Sequence, residues 1–161
     1  MEDMLVLVDN REKKNDHILT YFDSIGCNYR IEKLDTADYT YVLPNYEYLE
    51  LDETFLIERK GSLDELAGNF TKERDRFVRE FERVGDRTIN MVVEGATWKK
   101  IMNGSYRSKF PPNSYIGSLL TFSLLYNCPV WFCTKDESPE VIYKLLRYSL
   151  RNELKKIQKY G

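Results

Sequence analysis

Hydrophobic and polar positions along the chain switch between the period of a strand and that of a helix. LVLVD (5–9) is an unbroken apolar run ending in Asp9, the pattern of a strand buried on both faces. Residues 13–25 then place Ile18, Leu19, Phe22 and Ile25 at helical spacing, and Gly26 follows where such a helix would close. NYRIEKL (28–34) returns to alternation. Tyr39–Leu43 and Tyr46–Leu51 flank Pro44-Asn45, which predicts a β-hairpin or meander, and Phe55–Lys60 supplies the next strand. Ser62-Leu63-Asp64-Glu65 has the form of a capping box opening a short helix.

A second helix, over about residues 72–84, turns Phe77, Val78, Phe81 and Val84 inward and leaves Lys72, Arg76, Arg79 and Arg83 on its outer face. TINMVVE (88–94) reads as a buried strand, 96–103 as helical, and GSYRSKFPPN (104–113) as a loop with turn chemistry at both ends. Ser114–Tyr126 is apolar nearly all round, as a buried helix or an interface helix would be. PVWFCT (129–134) predicts a last core strand. Ser138-Pro139-Glu140 opens a long helix with the basic stripe Lys144, Arg147, Arg151 and Lys155. Strands interleaved with helices predict an α/β domain with a mixed central sheet.

Composition narrows the class. A length of 161 residues suits one domain that buries a core without disulfides or structural metal. No apolar run approaches the ~18–20 residues of a membrane span, and MEDMLVLVDNREKK has neither the basic start nor the cleavage site of a signal peptide. Cys27, Cys128 and Cys133 are odd in number and lack CxxC spacing, which predicts buried thiols in a reducing compartment. The single histidine, His17, sits on an amphipathic helix and reads as structural, which argues against histidine-based chemistry. The net charge of −2 hides a division: residues 1–65 hold 16 acids against 7 bases, and residues 66–161 hold 10 against 17. An acidic cluster beside a basic surface suits a metal-dependent enzyme acting on a polyanion.

FLIERKGSLDEL (55–66) is where that chemistry concentrates. Residues two apart on a strand share a face, so Glu58 and Lys60 point together, roughly 7 Å apart along the strand. A carboxylate can hold a hard divalent cation while a lysine orients water or a scissile phosphate. A second carboxylate, for which Asp38 is the natural candidate, completes the need of a Mg²⁺ site. Asp-x(19)-Glu-x-Lys is the bare pattern of the P-D-(D/E)-x-K nucleases, and it is loose.

Glu58-Arg59-Lys60-x-x-x-Asp64 is tighter and resembles the E-R-K-x(3)-D signature of the XPF family of structure-specific endonucleases. LVLVDNRE, ADYTYVL, the helix carrying Arg74 and Arg76, TINMVVEG and PVWFCT extend the likeness over essentially the whole chain. The resemblance implies a restriction-endonuclease-like fold: a mixed central β-sheet flanked by α-helices on both faces, forming a single nuclease domain over 1–161. It implies Mg²⁺ or Mn²⁺ held by Asp38, Glu58 and the main-chain carbonyl of Arg59, with Lys60 as the catalytic lysine. Asp9, Glu12 and Asp64 would line the same cleft. Arg11, Arg59, Arg74, Arg76 and Arg79 would face phosphates or steady the acids. The implied reaction is hydrolysis of a DNA phosphodiester at branched or single-strand/duplex junctions, in repair or recombination.

The sequence departs from the family pattern in two ways. Ala37 stands where the family usually has glycine, and no h-x-G-h-G hairpin of a helix-hairpin-helix module is found. Substrate choice would then rest on the nuclease domain, a homodimer through Tyr115–Tyr126, or a DNA-binding partner protein. Two other readings stay open: a catalytically silent DNA-binding subunit, and a junction resolvase or linear-end nuclease of the same superfamily. A compact form rich in Lys, Tyr and Asn suggests a bacterial or phage protein acting in the cytoplasm.

Overall fold

A computed structural model describes residues 3–160. Six strands, β1 (Leu5–Asp9), β2 (Tyr29–Glu32), β3 (Tyr39–Val42), β4 (Phe55–Lys60), β5 (Thr88–Glu94) and β6 (Val130–Cys133), form one sheet of order β2-β1-β3-β4-β5-β6. Among the described residues six α-helices accompany them: α1 (Asp16–Ser24), α2 (Leu63–Phe70), α3 (Arg74–Val84), α4 (Trp98–Met102), α5 (Pro112–Leu125) and α6 (Ser138–Tyr160). The sheet is mixed, because β1 runs parallel to β2 and antiparallel to β3, β3 runs antiparallel to β4, and β5 runs parallel to β6. The α/β class predicted from periodicity is what the chain adopts. No described helix is long and apolar enough to cross a membrane.

Two compact units divide the chain, Met1–Ile57 with Asp136–Gly161, and Glu58–Lys135. In the first unit, β1 is central and nearly inaccessible from Val6 to Asp9, as its unbroken apolar run requires. Helix α1 buries Ile18 and Phe22 completely and packs against α6, whose Ile142, Leu146 and Leu150 recur every four residues on one buried stripe. Phe22 meets Tyr29 at 5.7 Å and Tyr39 edge-on at 6.4 Å between ring centroids. Gly26 follows α1 with φ +67°, the left-handed turn its place in the sequence predicts.

The second unit gathers an aromatic core. Phe70 of α2, Phe77 and Phe81 of α3 and Phe122 of α5 meet with centroids 5.0–5.9 Å apart. Complete burial of each such ring is worth about 1.5–3 kcal/mol in removed apolar surface, so this cluster is a substantial part of the unit's core. Ser62 caps α2, its Oγ accepting from the Glu65 amide at 3.1 Å. The reciprocal bond differs from a standard capping box, since Glu65 Oε2 accepts from Gly61 N at 2.9 Å, one residue before the cap.

Two strand expectations are corrected. Residues 46–51 form no strand; Glu47–Leu49 is a 3₁₀ turn, and β3 pairs with β4 through Tyr39 and Ile57. Glu50 and Glu53 take φ of 54° and 58°, which ends any extended run. Local side-chain bonds close the segment instead, with Leu43 N donating to Asp52 Oδ1 at 2.9 Å and Thr54 Oγ1 donating to Leu51 O at 2.8 Å. The other correction concerns β6. It is an edge strand, with Trp131 exposed and its Nε1 donating to Asn90 Oδ1 of β5 at 3.0 Å.

Candidate active site

Within the first unit, Asp9 closes β1 and is almost wholly buried. A buried carboxylate must be matched by donors, and three supply them. Arg11 Nε donates to its Oδ2 at 2.9 Å, Arg11 Nη2 to its Oδ1 at 3.4 Å, and Leu34 N to its Oδ1 at 2.9 Å. Arg11 Nη2 also donates to Leu34 O at 2.6 Å. Asp9 and Arg11 therefore anchor the segment that leads into β3. Backbone bonds carry the same constraint to Asp38, whose carbonyl accepts from Asp9 N at 2.8 Å and whose amide donates to Ile57 O at 2.9 Å. Glu12 lies one turn past Asp9, its amide donating to Asp9 O at 3.0 Å. Asp38 and Glu12 are both half-buried.

Ala37, just before Asp38, is buried and adopts φ +68°. This is the left-handed region that glycine enters without cost and alanine does not. Alanine in the place of the family's usual glycine therefore strains the backbone just before Asp38.

Within the second unit, Glu58, Arg59 and Lys60 are all buried, at 7%, 5% and 6% exposure. That settles how β4 ends: its charges do not run out into solvent. Lys60 Nζ lies 3.7 Å from Glu58 Oε1 and 5.2 Å from the centroid of the Phe77 ring. The ammonium is thus held between a carboxylate and the π-face of α3. Arg59 points elsewhere, as strand alternation demands. Its Nη1 donates to Glu94 Oε1 at 2.5 Å in a buried ion pair between β4 and β5. The burial of Cys128, helped by the Glu58 charge, pushes its thiol up to about 12.

Glu94 was missed as a partner. Its signal was a lone acid ending the apolar run TINMVVE, but nothing in the order of residues links positions 59 and 94. Asp64, in the first turn of α2, has one oxygen engaged by Ser108 N at 2.7 Å, so it holds the connector between α4 and α5.

Three of the four arginines of α3 are candidates for phosphate contact, and they differ. Arg74 Nη1 donates to Phe70 O at 3.2 Å and Ser118 Oγ at 3.1 Å, with its guanidinium over the Phe122 ring, tying α3 to α2 and α5. Arg76 pairs with Glu73, and Arg79 is exposed on the outer face. Arg74 reads as a structural clamp; Arg76 and Arg79 remain accessible to an anion.

The ERCC4 domain family matches residues 8–145, and the chain belongs to that family, the XPF-type nuclease domains. XPF from Aeropyrum pernix aligns with a TM-score of 0.64 at 21% identity, covering 89% of this chain and 66% of that one. The structure titled XPF from Aeropyrum pernix, complex with DNA, aligns with a TM-score of 0.67 at 20% identity, covering 92% and 66%. At this identity the likeness establishes the fold. The chain spans just under two thirds of the length of these XPF chains. No curated protein matches it.

Proposed function

We propose that this chain is a Mg²⁺- or Mn²⁺-dependent DNA endonuclease that hydrolyses phosphodiester bonds at branched or single-strand/duplex junctions. The observation that carries the reading is the buried Glu58–Lys60 pair on β4, inside the ERCC4 match. Burying a carboxylate and an ammonium costs several kcal/mol per ion. Arg59, the other charge of the strand, is matched by Glu94 in a structural ion pair; beside Phe55, Leu56 and Ile57, the Glu58–Lys60 pair serves no such cross-strand link, whereas a phosphate-cleaving site has a use for it. The DNA bound to the Aeropyrum pernix XPF supports DNA as the polymer.

The donor set suits a hard cation. Among the described residues no group of three or more His, Cys, Asp or Glu could hold a metal. Mg²⁺, however, is commonly held by one or two carboxylates, with water and phosphate oxygens completing its shell. In this proposal Asp38, Glu58 and the Arg59 carbonyl are the ligands. The bound ion would acidify its water and neutralise charge on the phosphate. Lys60 then acts as a desolvated cation aimed at the scissile phosphate or its attacking water, and Phe77 fixes its position. Homodimerisation through α5 belongs to the same proposal, because Leu120 and Leu124 are exposed, at 44% and 81%, on a helix with no charged residue.

Flap, four-way junction, linear duplex and single-stranded DNA should be assayed side by side in Mg²⁺ and Mn²⁺. Lys60→Met keeps the packing over Phe77 and should lower the cleavage rate at least about 10²-fold with an unchanged circular dichroism spectrum. Asp38→Asn should weaken Mn²⁺ binding measured calorimetrically. A wild-type protein that cuts none of these substrates removes the reading.

A further inference from the structure

Helix α2 and the connector between α4 and α5 enclose a groove of about 1160 Å³ in the second unit. Lys72, Arg107 and Lys109 line it; all three are exposed, and none forms a salt bridge among the described residues. Asp64 is the one acid among the lining residues, and an oxygen of its carboxylate is engaged by Ser108 N at 2.7 Å. The groove therefore presents an excess of positive charge.

Its wall is built in advance of any ligand. Tyr106 OH donates to Phe110 O at 2.6 Å, and Phe110 N donates to Ser108 Oγ at 3.1 Å. The rings of Tyr106 and Phe110 rest on Tyr115, at 5.1 and 5.4 Å. Tyr115 is completely buried, and its hydroxyl donates to Leu63 O, in the first residue of α2, at 2.6 Å. A connector this tightly tied loses little freedom on binding.

Cations alone would suit any polyanion. Phe110, half-buried in the groove wall, adds an aromatic surface beside Lys109. An unpaired nucleotide can stack a base there, whereas a duplex keeps every base face but those of its terminal pairs inside. We infer that this groove binds a single-stranded DNA segment, with Lys72, Arg107 and Lys109 on successive phosphates and a base against Phe110. The inference rests on the endonuclease reading for DNA as the polymer, and it assigns the grip on an unpaired arm to the second unit.

The test is fluorescence anisotropy with labelled oligo-dT and a blunt duplex of equal length, in EDTA so that nothing is cut. The wild type should bind oligo-dT. Lys72→Ala/Arg107→Ala/Lys109→Ala should lower that affinity at least about tenfold and flatten its log–log salt slope by about 2, given roughly 0.7 per phosphate contact on a single strand. Phe110→Ala should lower oligo-dT affinity at least about fivefold while leaving blunt-duplex affinity unchanged. Should Phe110→Ala fail to fold, the triple variant decides alone, because its three side chains are exposed. Wild-type affinity and salt slope in the triple variant overturn the inference, as does equal loss on single strand and duplex in Phe110→Ala, or a wild type that binds no oligo-dT. A protein that grips oligo-dT but cuts nothing overturns the endonuclease reading and leaves this one standing.

Discussion

Ala37 holds a left-handed φ of +68° immediately before Asp38, where the family pattern has glycine. The left-handed region costs an L-residue about 1–2 kcal/mol. Ala37→Gly should recover that amount. It should also lose about 0.8 kcal/mol from one buried methyl and about 0.4–1 kcal/mol from the freer unfolded chain, leaving a net change near zero. Ala67 is a control that is also buried, at 1% exposure inside α2 against 5% for Ala37. Ala67→Gly should cost about 2 kcal/mol, from helix propensity plus the methyl. Urea midpoints of the two variants measure the contrast, and equal losses would show that residue 37 does not adopt this φ in solution. The same residue scale shows what one-dimensional reading can reach. Glu58 and Lys60 were legible as a pair because strand alternation fixes them locally. The Arg59–Glu94 bond was not, because sheet order, not sequence distance, brings β4 beside β5.

At the scale of elements, periodicity located each helix and most strands, since each rests on an amphipathic or buried face written into its own residues. It failed at 46–51, where YEYLEL looks extended but left-handed Glu50 and Glu53 and the Asp52 side chain turn the chain instead. It also gave β6 the character of a core strand, because an edge strand with an apolar exposed face has the same composition. Helix α5 was legible as apolar, yet its two roles were not separable: Tyr115, Leu119 and Phe122 are buried, while Leu120, Leu124 and Leu125 are exposed. The exposed stripe yields a prediction. Leu124→Glu changes a side chain that is 81% exposed in the single chain, so thermal stability of the monomer should change by no more than about 0.5 kcal/mol. If α5 pairs two chains, sedimentation should give a dimer for the wild type and a single chain for the variant at micromolar concentration. A wild type that sediments as one chain rules the dimer out.

For the whole molecule, the acidic and basic halves of the sequence do not map simply onto the two units. The basic stripe of α6 belongs with the acidic N-terminal segment, so the first unit holds 17 acids and 11 bases and the second 9 and 13. The second unit stays cationic, and it carries both Lys60 and the groove of Lys72, Arg107 and Lys109. Its buried neutral groups set a limit at alkaline pH. Burial pushes the Cys128 thiol from an ordinary 9.0 up to about 12, and burial raises Tyr115 above its ordinary range as well. In the first unit, burial lifts Cys27 to about 11, with Arg147 opposing. All three groups keep their protons in the folded chain at pH values where the unfolded chain releases them. The stability the two thiols contribute is therefore complete below pH 9 and falls as pH rises from there toward about 12, while that of Tyr115 falls only above pH 10.0. Cys128 accounts for at most about 1.4 kcal/mol per pH unit of that slope. Cys128→Ala should be less stable than wild type at neutral pH, from its cavity, yet lose stability less steeply above pH 9. Urea midpoints across that range give both slopes, and parallel slopes would mean that Cys128 ionises as readily folded as unfolded.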